Sequence, residues 1–328
     1  MTNQKIKIGI LGCANIAHRS MIPAIKQLDT IFELSAIASR TKEKGDKLAE
    51  EFQIPLSLDY EELVDHPDID ALYIPLPTGL HKEWVNKALL AGKHVYGEKS
   101  LASSYNDALQ MVTTAKKNDV CLMEGYMFLY HSQHDTIKKM LEDDAIGEVR
   151  HFSSSFGFPP FPPGNFRYDD EVGGGSLLDA AGYTVRATHF MMGNDFVVQG
   201  ATLFIDPKYN TNIYGSAFLT NSKGIGASVA FGFDNFYQCK YEIWGSKGKI
   251  IAERAFTPKA DYCPKIIVES NEGTNVINAN PDNHFVNAMI EFSKAIQTKA
   301  NQERHYSEIL LQSKSLEQIK LKSTQAHG

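Results

Sequence analysis

Lys99 is the residue of this sequence best placed to do chemistry. It follows Glu98 at the end of the short strand-like run 93–96. Open parallel sheets bind ligands at the carboxyl ends of their strands, so a lysine at such an end is positioned to touch a ligand. An isolated Glu-Lys pair is otherwise an ordinary solvated ion pair. The interpretation of Lys99 therefore depends on the elements that precede and follow it.

A second group of reactive side chains follows later in the chain. The glycine-rich stretch 173–175 opens a helix that carries Asp179 and Tyr183. Because these residues are four apart, a helix places them on one face. A tyrosine with an ordinary pKa near ~10 is a poor acid or base, but a neighbouring cation such as Lys99 eases its ionisation. The alternative is a core tyrosine whose hydroxyl is already satisfied.

The elements before Lys99 indicate a dinucleotide-binding fold. The strand-like run 6–11 ends in Gly12-Cys13-Ala14-Asn15-Ile16-Ala17. This turn fits G-x-G-x-x-G/A: Gly12 permits the sharp turn, Ala14 lets the backbone approach a pyrophosphate, and Ala17 packs helix on strand. Amides at the helix start would bind the phosphate charge. A tight strand-to-helix turn without a ligand is the alternative.

The next strand-like run, 33–38, ends in Ser39-Arg40-Thr41, where an NAD-binding fold usually has an acid for the ribose hydroxyls. Arg40, with the Ser39 and Thr41 hydroxyls and Lys44, suits a 2′-phosphate instead, because a guanidinium offers a dianion a planar fork of donors. The alternative is an ordinary exposed arginine, but a helix start is a poor position for a cation. The sequence therefore predicts NADP(H) as cofactor.

Length and patterning predict two domains. The chain has 328 residues, of which 43% are hydrophobic. Strands and helices alternate up to the run 120–123, so we predict an α/β Rossmann-like domain over 1–123. From residue 149 onward, runs alternate like half-buried strands, which predicts an α+β domain over 124–328 with a large, mostly antiparallel, open-faced sheet. Helical patterns at 284–297 and 308–321 predict helices that pack back on the rest.

Composition argues against several classes of protein. The formal charge is -6, from 33 basic and 39 acidic residues without long blocks of one sign, so we expect no nucleic-acid partner. The four cysteines form no CxxC pair, and we expect neither a metal site nor a disulfide framework. The N-terminal residues lead directly into a strand, and no apolar run reaches membrane-spanning length. We expect a soluble cytoplasmic protein.

The order of these motifs resembles the Gfo/Idh/MocA family of nicotinamide-dependent sugar oxidoreductases. The resemblance covers Gly12 to Ala17, the Glu98-Lys99 pair, the segment 124–134 and the Asp179 helix. Family members usually read Glu-Lys-Pro, whereas Ser100 follows Lys99 here and leaves a backbone donor. The common Asp-x-x-x-His is Asp-x-x-x-Tyr in this chain. Leu129 and the nearby His-Ser-Gln-His resemble ketoreductases of nucleotide-linked deoxysugars more than inositol dehydrogenases. The tyrosine at position 183 resembles the sugar ketoreductase and pentose dehydrogenase branch.

The resemblance implies roles for individual residues. Lys99 and Tyr183 would donate a proton to a substrate ketone, and Asp179 would orient the donors or a substrate hydroxyl. The P-T-x-x-H segment, with Thr78 and His81, would lie near the nicotinamide. The implied cofactor-binding set is Gly12, Cys13, Ala14, Asn15, Ile16, Ser39, Arg40, Lys44, Pro75, Thr78, His81, Glu98 and Lys99.

The implied function is NADPH-dependent reduction of a keto sugar, most simply a 3-keto nucleoside-diphosphate deoxysugar. The stiff loop 158–167 would shape the mouth of the site, with Arg167 either a phosphate contact or a surface arginine. The alternatives are a free-sugar dehydrogenase that oxidises C1 to a lactone, and a non-catalytic cofactor-binding regulator. The resemblance also implies a homodimer or homotetramer through the open sheet face, for which we predict the apolar residues Phe231, Phe233, Tyr241 and Ile243.

Overall fold

A computed structural model describes residues 5–327. They form two compact units. The first runs through Gly125 and includes Phe285–Ser313, and the second comprises Tyr126–His284 and the chain from Lys314 onward. Domain limits at 1–123 and 124–328 stay a prediction. No helix among the described residues is both long and apolar enough to cross a lipid bilayer.

The first unit is built on a parallel sheet. Its strands are β1 (Ile6–Leu11), β2 (Phe32–Ala38), β3 (Leu56–Leu58), β4 (Ala71–Ile74), β5 (His94–Gly97) and β6 (Leu122–Glu124). They lie in the order β3-β2-β1-β4-β5-β6, and every neighbouring pair is parallel. β4 is buried throughout, because such a sheet is covered on both faces. The order reverses beside β1, and such a reversal opens a ligand crevice at the carboxyl ends of the strands.

Helices connect the strands of this sheet. They are α1 (Ile22–Gln27), α2 (Lys42–Phe52), α3 (Tyr60–Asp65), α4 (Thr78–Leu90) and α5 (Tyr105–Lys117). A π-helical turn, Ala17–Met21, precedes α1. Near the C-terminus, α8 (His284–Gln297) from Phe285 onward and the first part of α9 (Lys299–Lys322) belong to this unit. The Tyr306 hydroxyl donates to the carbonyl of Val120, which fixes α9 to the segment between α5 and β6.

The second unit contains a larger mixed sheet. Its strands are β7 (Val149–Gly157), β8 (Val197–Asp206), β9 (Thr211–Thr220), β10 (Gly226–Gly232), β11 (Gln238–Gly245), β12 (Gly248–Glu253), β13 (Lys265–Ser270), β14 (Gly273–Asn278) and β15 (Ser323–His327). The order is β14-β13-β12-β11-β7-β10-β9-β8-β15. Within this second sheet, only the β7–β10 and β8–β15 pairs are parallel among the described residues. The predicted fold class, a Rossmann-like unit with a mostly antiparallel sheet, is confirmed.

One face of this sheet is covered by helices α6 (Gln133–Glu142) and α7 (Gly182–Met192). α7 packs against β7 and β10, and His134 of α6 bonds Tyr241 of β11. The prediction that Phe231, Phe233, Tyr241 and Ile243 form an exposed apolar face is wrong, because each is at most 3% exposed. Large apolar residues at alternate positions mark the face that helices cover.

The opposite face of the sheet carries small and aromatic side chains. Its central surface is lined by residues that include Ser153, Ser155, Ser216, Phe218, Ser228 and Ala230. Phe218 is 44% exposed and Trp244 is 58% exposed. The open face therefore exists, with a composition that differs from the predicted one.

Candidate active site

Gly12 shapes the turn between β1 and the first helix. Its φ is +127°, a conformation that residues with side chains rarely adopt. A Cβ on residue 12 would lie 2.9 Å from Cδ2 of Leu76. Cys13 and Ala14 are half-buried, Asn15 is exposed, and the helical conformation begins at Asn15. This backbone, with helix amides at its end and no side chain at position 12, fits a dinucleotide pyrophosphate.

Polar side chains surround the end of β2 beside this turn. Ser39 is buried, and its hydroxyl accepts from the Thr41 amide at 3.2 Å. Burial raises the pKa of the Cys13 thiol, and this effect is opposed by a hydrogen bond with Ser39 and by the charge of Lys44. Arg40 and Lys44 are exposed. The structure therefore brings the predicted 2′-phosphate residues to one place.

Tyr60 is a member of this group that the sequence interpretation missed. Its hydroxyl oxygen lies 3.7 Å from the position that a Cβ would take if residue 12 were not glycine. Burial raises the pKa of Tyr60, opposed by the charge of Arg40 nearby. Tyr60 begins α3 just after β3, a strand of only three residues without clear alternation, so no local signal in the sequence pointed to it.

The P-T-x-x-H segment, Pro77 to His81, forms the start of α4, shortly after the end of β4. Pro75 and Thr78 are buried. His81 is 0% exposed, and its Nδ1 lies 3.1 Å from the carbonyl oxygens of Ser100 and Leu101. Burial lowers the pKa of His81 to about 4, so the ring is neutral at pH 7. The structure thus joins His81 to the backbone just after Lys99.

Glu98 and Lys99 follow the end of β5, and both are half-buried. The Glu98 carboxylate accepts from the Tyr73 hydroxyl at 2.8 Å and from the Lys99 amide at 3.3 Å. The Lys99–Ser100 peptide bond is cis. Glu124, at the end of β6, accepts from the Leu101 amide at 2.8 Å. Tyr73 and Glu124 were not predicted, although both stand near the carboxyl ends of parallel strands.

In the second unit, the Asp179 helix starts on a side chain from β9. Asn212 Oδ1 accepts from the Leu177 amide at 2.6 Å and from the Ser176 hydroxyl at 3.0 Å. Gly175 has a φ of +95°, and a Cβ there would lie 2.5 Å from Nδ2 of Asn212. Asn212 therefore satisfies helix-start donors, as a capping residue does. No local sequence signal predicts this contact, which depends on strand order.

Asp179 lies in a π-helical turn, Leu177–Ala181, that leads into α7. Its carboxylate accepts from Nε of Arg167 at 2.7 Å. The Arg167 guanidinium carbon lies 4.5 Å from the ring centre of Phe161 and 4.6 Å from that of Phe166. Arg167 is therefore a fixed cation, held by one carboxylate and two aromatic rings.

Tyr183 stands in the first turn of α7 and is 6% exposed. The ring of Phe156 packs at 4.7 Å between centroids, and the rings of Tyr126, Phe128 and Phe256 lie at 5.6 to 5.8 Å. Its hydroxyl lies 3.8 Å from the Met127 sulfur. The aromatic wall fixes the direction of the ring, and a thioether is a weak acceptor for the hydroxyl.

Among the described residues, no group of three or more His, Cys, Asp or Glu could hold a metal ion.

Comparisons with known proteins agree with this architecture. Residues 6–126 match the family described as "Oxidoreductase family, NAD-binding Rossmann fold", and residues 134–251 match the "GFO/IDH/MocA C-terminal domain". A dTDP-3,4-didehydro-2,6-dideoxy-alpha-D-glucose 3-reductase from Saccharopolyspora spinosa is 38% identical over 89% of this chain and 88% of its own. A D-xylose 1-dehydrogenase (NADP(+)) from Haloferax volcanii is 29% identical over 88% of this chain and 89% of its own.

A solved structure is similar over almost the whole chain. It is a 3-ketoreductase from Actinomadura kijaniata in complex with NADP and TDP-benzene, with a TM-score of 0.95 and 34% identity over 99% of this chain and 100% of the other. Structures of that enzyme include variants with a lysine replaced by alanine or glutamate and a tyrosine replaced by phenylalanine. The resemblance inferred from the motifs is confirmed: this chain belongs to the Gfo/Idh/MocA family of oxidoreductases.

Proposed function

We propose that this protein reduces the keto group of a 3-keto nucleoside-diphosphate deoxysugar with NADPH. The observation that carries the proposal is similarity over 99% of the chain to a 3-ketoreductase bound to NADP and TDP-benzene. The dinucleotide turn at Gly12 and the tyrosine at position 183 agree with it. Fold similarity alone supports many activities, so the proposal rests on these site residues as well.

The cofactor is NADP(H), which supplies the hydride when bound. Gly12, Cys13, Ala14, Asn15 and Ile16 present backbone to its pyrophosphate. Ser39, Arg40 and Lys44 bind the 2′-phosphate, for which a guanidinium is well suited. The remaining members of the predicted cofactor set are Pro75, Thr78, His81, Glu98 and Lys99.

Lys99, Tyr183 and Asp179 serve the reacting sugar. As negative charge develops on the ketone oxygen, a donor must stabilise and protonate it. Tyr183 is the final proton donor, and the Lys99 ammonium eases its ionisation. Asp179 holds Arg167 through their 2.7 Å ion pair, so its carboxylate orients a cation as well as a substrate hydroxyl. The terminal N–H groups of Arg167 suit a substrate pyrophosphate.

The protein works as a homodimer or homotetramer, with the open face of the sheet packed against a second copy. The serine and alanine side chains of that face allow close approach, and Phe218 and Trp244 supply apolar contact area. A cytoplasmic location stays part of the proposal.

A direct test is turnover of purified protein with NADPH and a 3-keto dTDP-deoxysugar, followed by loss of NADPH absorbance. We expect turnover with this substrate and none with free xylose or glucose at millimolar concentration. The xylose dehydrogenase from Haloferax volcanii supports a free-sugar dehydrogenase as the second candidate. Oxidation of free sugars with NADP, without turnover of keto sugar nucleotides, would favour that candidate. Cofactor binding without turnover of either class would favour a regulator.

A further inference from the structure

The backbone that follows Lys99 is held by a buried histidine. His81 Nδ1 lies 3.1 Å from the carbonyl oxygens of both Ser100 and Leu101. Carbonyl oxygens only accept hydrogen bonds, so Nδ1 carries the proton and donates to both. The tautomer of His81 is therefore fixed by the two residues next to Lys99.

The Glu124 carboxylate holds the same Ser100-Leu101 segment through the backbone amide of Leu101. Glu124 Oε1 accepts the hydrogen bond of the Leu101 amide at 2.8 Å. The amide and the carbonyl of Leu101 are thus each bonded to a side chain from a different element, Glu124 from β6 and His81 from α4. On the other side of Lys99, Glu98 is held by the Tyr73 hydroxyl at 2.8 Å. The backbone around Lys99 is fixed both before and after it.

The state of His81 suits a structural donor. Its side chain is 0% exposed, and burial lowers its pKa to about 4, with the Lys99 charge also opposing protonation. The ring therefore stays neutral at physiological pH, with its Nδ1 proton committed to the chain's own backbone. That nitrogen is therefore not available to a ligand.

We propose that His81, together with Glu124, is a positioning residue for Lys99. The two side chains fix the Ser100-Leu101 backbone and so set where the Lys99 ammonium stands. This inference rests on the proposed function, since the position of Lys99 affects turnover only if Lys99 acts in the reaction.

The test compares two variants of His81 in the full-length protein. His81→Asn keeps an N–H donor attached to Cγ, as in Nδ1 of histidine, whereas His81→Phe keeps a ring and removes the donor. We expect His81→Phe to lower kcat by about 10- to 100-fold, because displacement of a reacting group by roughly 1 Å has effects of that size. His81→Asn should recover most of the activity. The dissociation constant for NADPH, measured by fluorescence titration, should change by less than about twofold in both.

Glu124 offers an independent pair of variants. Glu124→Gln keeps an acceptor for the Leu101 amide, whereas Glu124→Ala removes it, so only the second should lower kcat. This pair also tests the proposal if His81→Phe does not fold.

A double variant tests whether His81 acts through Lys99. In a Lys99→Ala background, His81→Phe should cause little further loss of kcat, because the effect of His81 is exerted through Lys99.

Several results would overturn the inference. A tenfold weaker NADPH affinity in His81→Phe, with unchanged kcat, would make His81 a cofactor ligand. A full further loss in the Lys99→Ala background would show that His81 acts independently. If the wild type reduces no keto sugar nucleotide, the proposed function fails, and a crystal structure of His81→Phe still decides the inference: an unmoved Lys99 contradicts it, and a displaced Lys99 supports it.

Discussion

The stability of the second unit should depend on pH through His134. Its ring is 0% exposed and stacks on Tyr241, with ring centres 5.7 Å apart. Nε2 donates to the Ala255 carbonyl at 3.1 Å, so Nδ1 is the acceptor for the Tyr241 hydroxyl at 2.8 Å. Burial lowers the pKa of His134 to about 3, and the neighbouring His131, Lys138 and His284 also disfavour its protonation. A proton on Nδ1 would destroy the bond from Tyr241.

The size of the effect follows from the two pKa values. The ordinary value is 6.5 and the folded value is about 3. Above pH 6.5 the ring is neutral in both states, and His134 adds no pH dependence. Below it the unfolded chain binds a proton that the folded chain does not, so stability falls by about 1.4 kcal/mol per pH unit until the pH reaches the folded pKa. Between pH 7 and pH 5 the loss due to His134 is about 2 kcal/mol.

The assay is urea denaturation at pH 7 and pH 5. The sequence has two tryptophans, so a Trp84→Phe background leaves Trp244 in β11 as the reporter of the second unit. His134→Gln keeps a donor for Ala255 and cannot titrate, and His18→Gln, at an exposed site, is the control. In all three proteins the free energy of unfolding should fall between pH 7 and pH 5. We expect this fall to be about 2 kcal/mol smaller in His134→Gln than in the Trp84→Phe background or in the His18→Gln control. Equal losses in all three would refute the reasoning.

Arg40→Asp should reverse the cofactor preference toward NADH, because each charge-assisted contact to the 2′-phosphate contributes roughly 1.5 to 3 kcal/mol; equal binding of both cofactors by the wild type would contradict the assignment. Arg167→Gln should raise KM for the nucleotide-linked sugar about tenfold without changing NADPH affinity, because it removes a cation that Asp179 holds in place. Phe218→Lys should shift the mass measured by light scattering to the monomer, whereas Leu90→Lys, 66% exposed in the first unit, should not.

Elements defined by local pattern were predictable from the sequence. The run 6–11 and the strand Ile6–Leu11 coincide, and α8 spans His284–Gln297 as expected. Periodicity of apolar residues, the turn at Gly12 and the alternation of strands and helices are local signals. α9 begins at Lys299, nine residues before the predicted start at 308. The prediction missed these residues because few of them carry apolar side chains.

Features that depend on distant partners were not predictable. β3, β14 and β15 were missed: β3 has three residues, and every residue of β14 is at least partly exposed, so neither shows clear alternation. The direction in which Phe231 and Tyr241 face depends on which side of the sheet the helices cover. Asn212, Glu124 and His81 act through hydrogen bonds across 19 or more residues of chain, for which one sequence gives no pairing signal.

The central claim is that Lys99 and Tyr183 act as one proton-donating unit. Lys99→Ala and Tyr183→Phe should each lower kcat by about 10² to 10⁴, the range for proton transfer by a placed side chain, with NADPH affinity unchanged. The matched control is Tyr237→Phe, which removes a hydroxyl that bonds Thr257 and should leave kcat unaltered.

The most direct measurement is kcat of the double variant Lys99→Ala/Tyr183→Phe against both single variants, with a 3-keto sugar nucleotide and NADPH. Groups that act as a unit are strongly non-additive, so the double variant should be little slower than the slower single variant. Losses that multiply would show two independent contributions. Full activity in Tyr183→Phe or in Lys99→Ala would contradict the account.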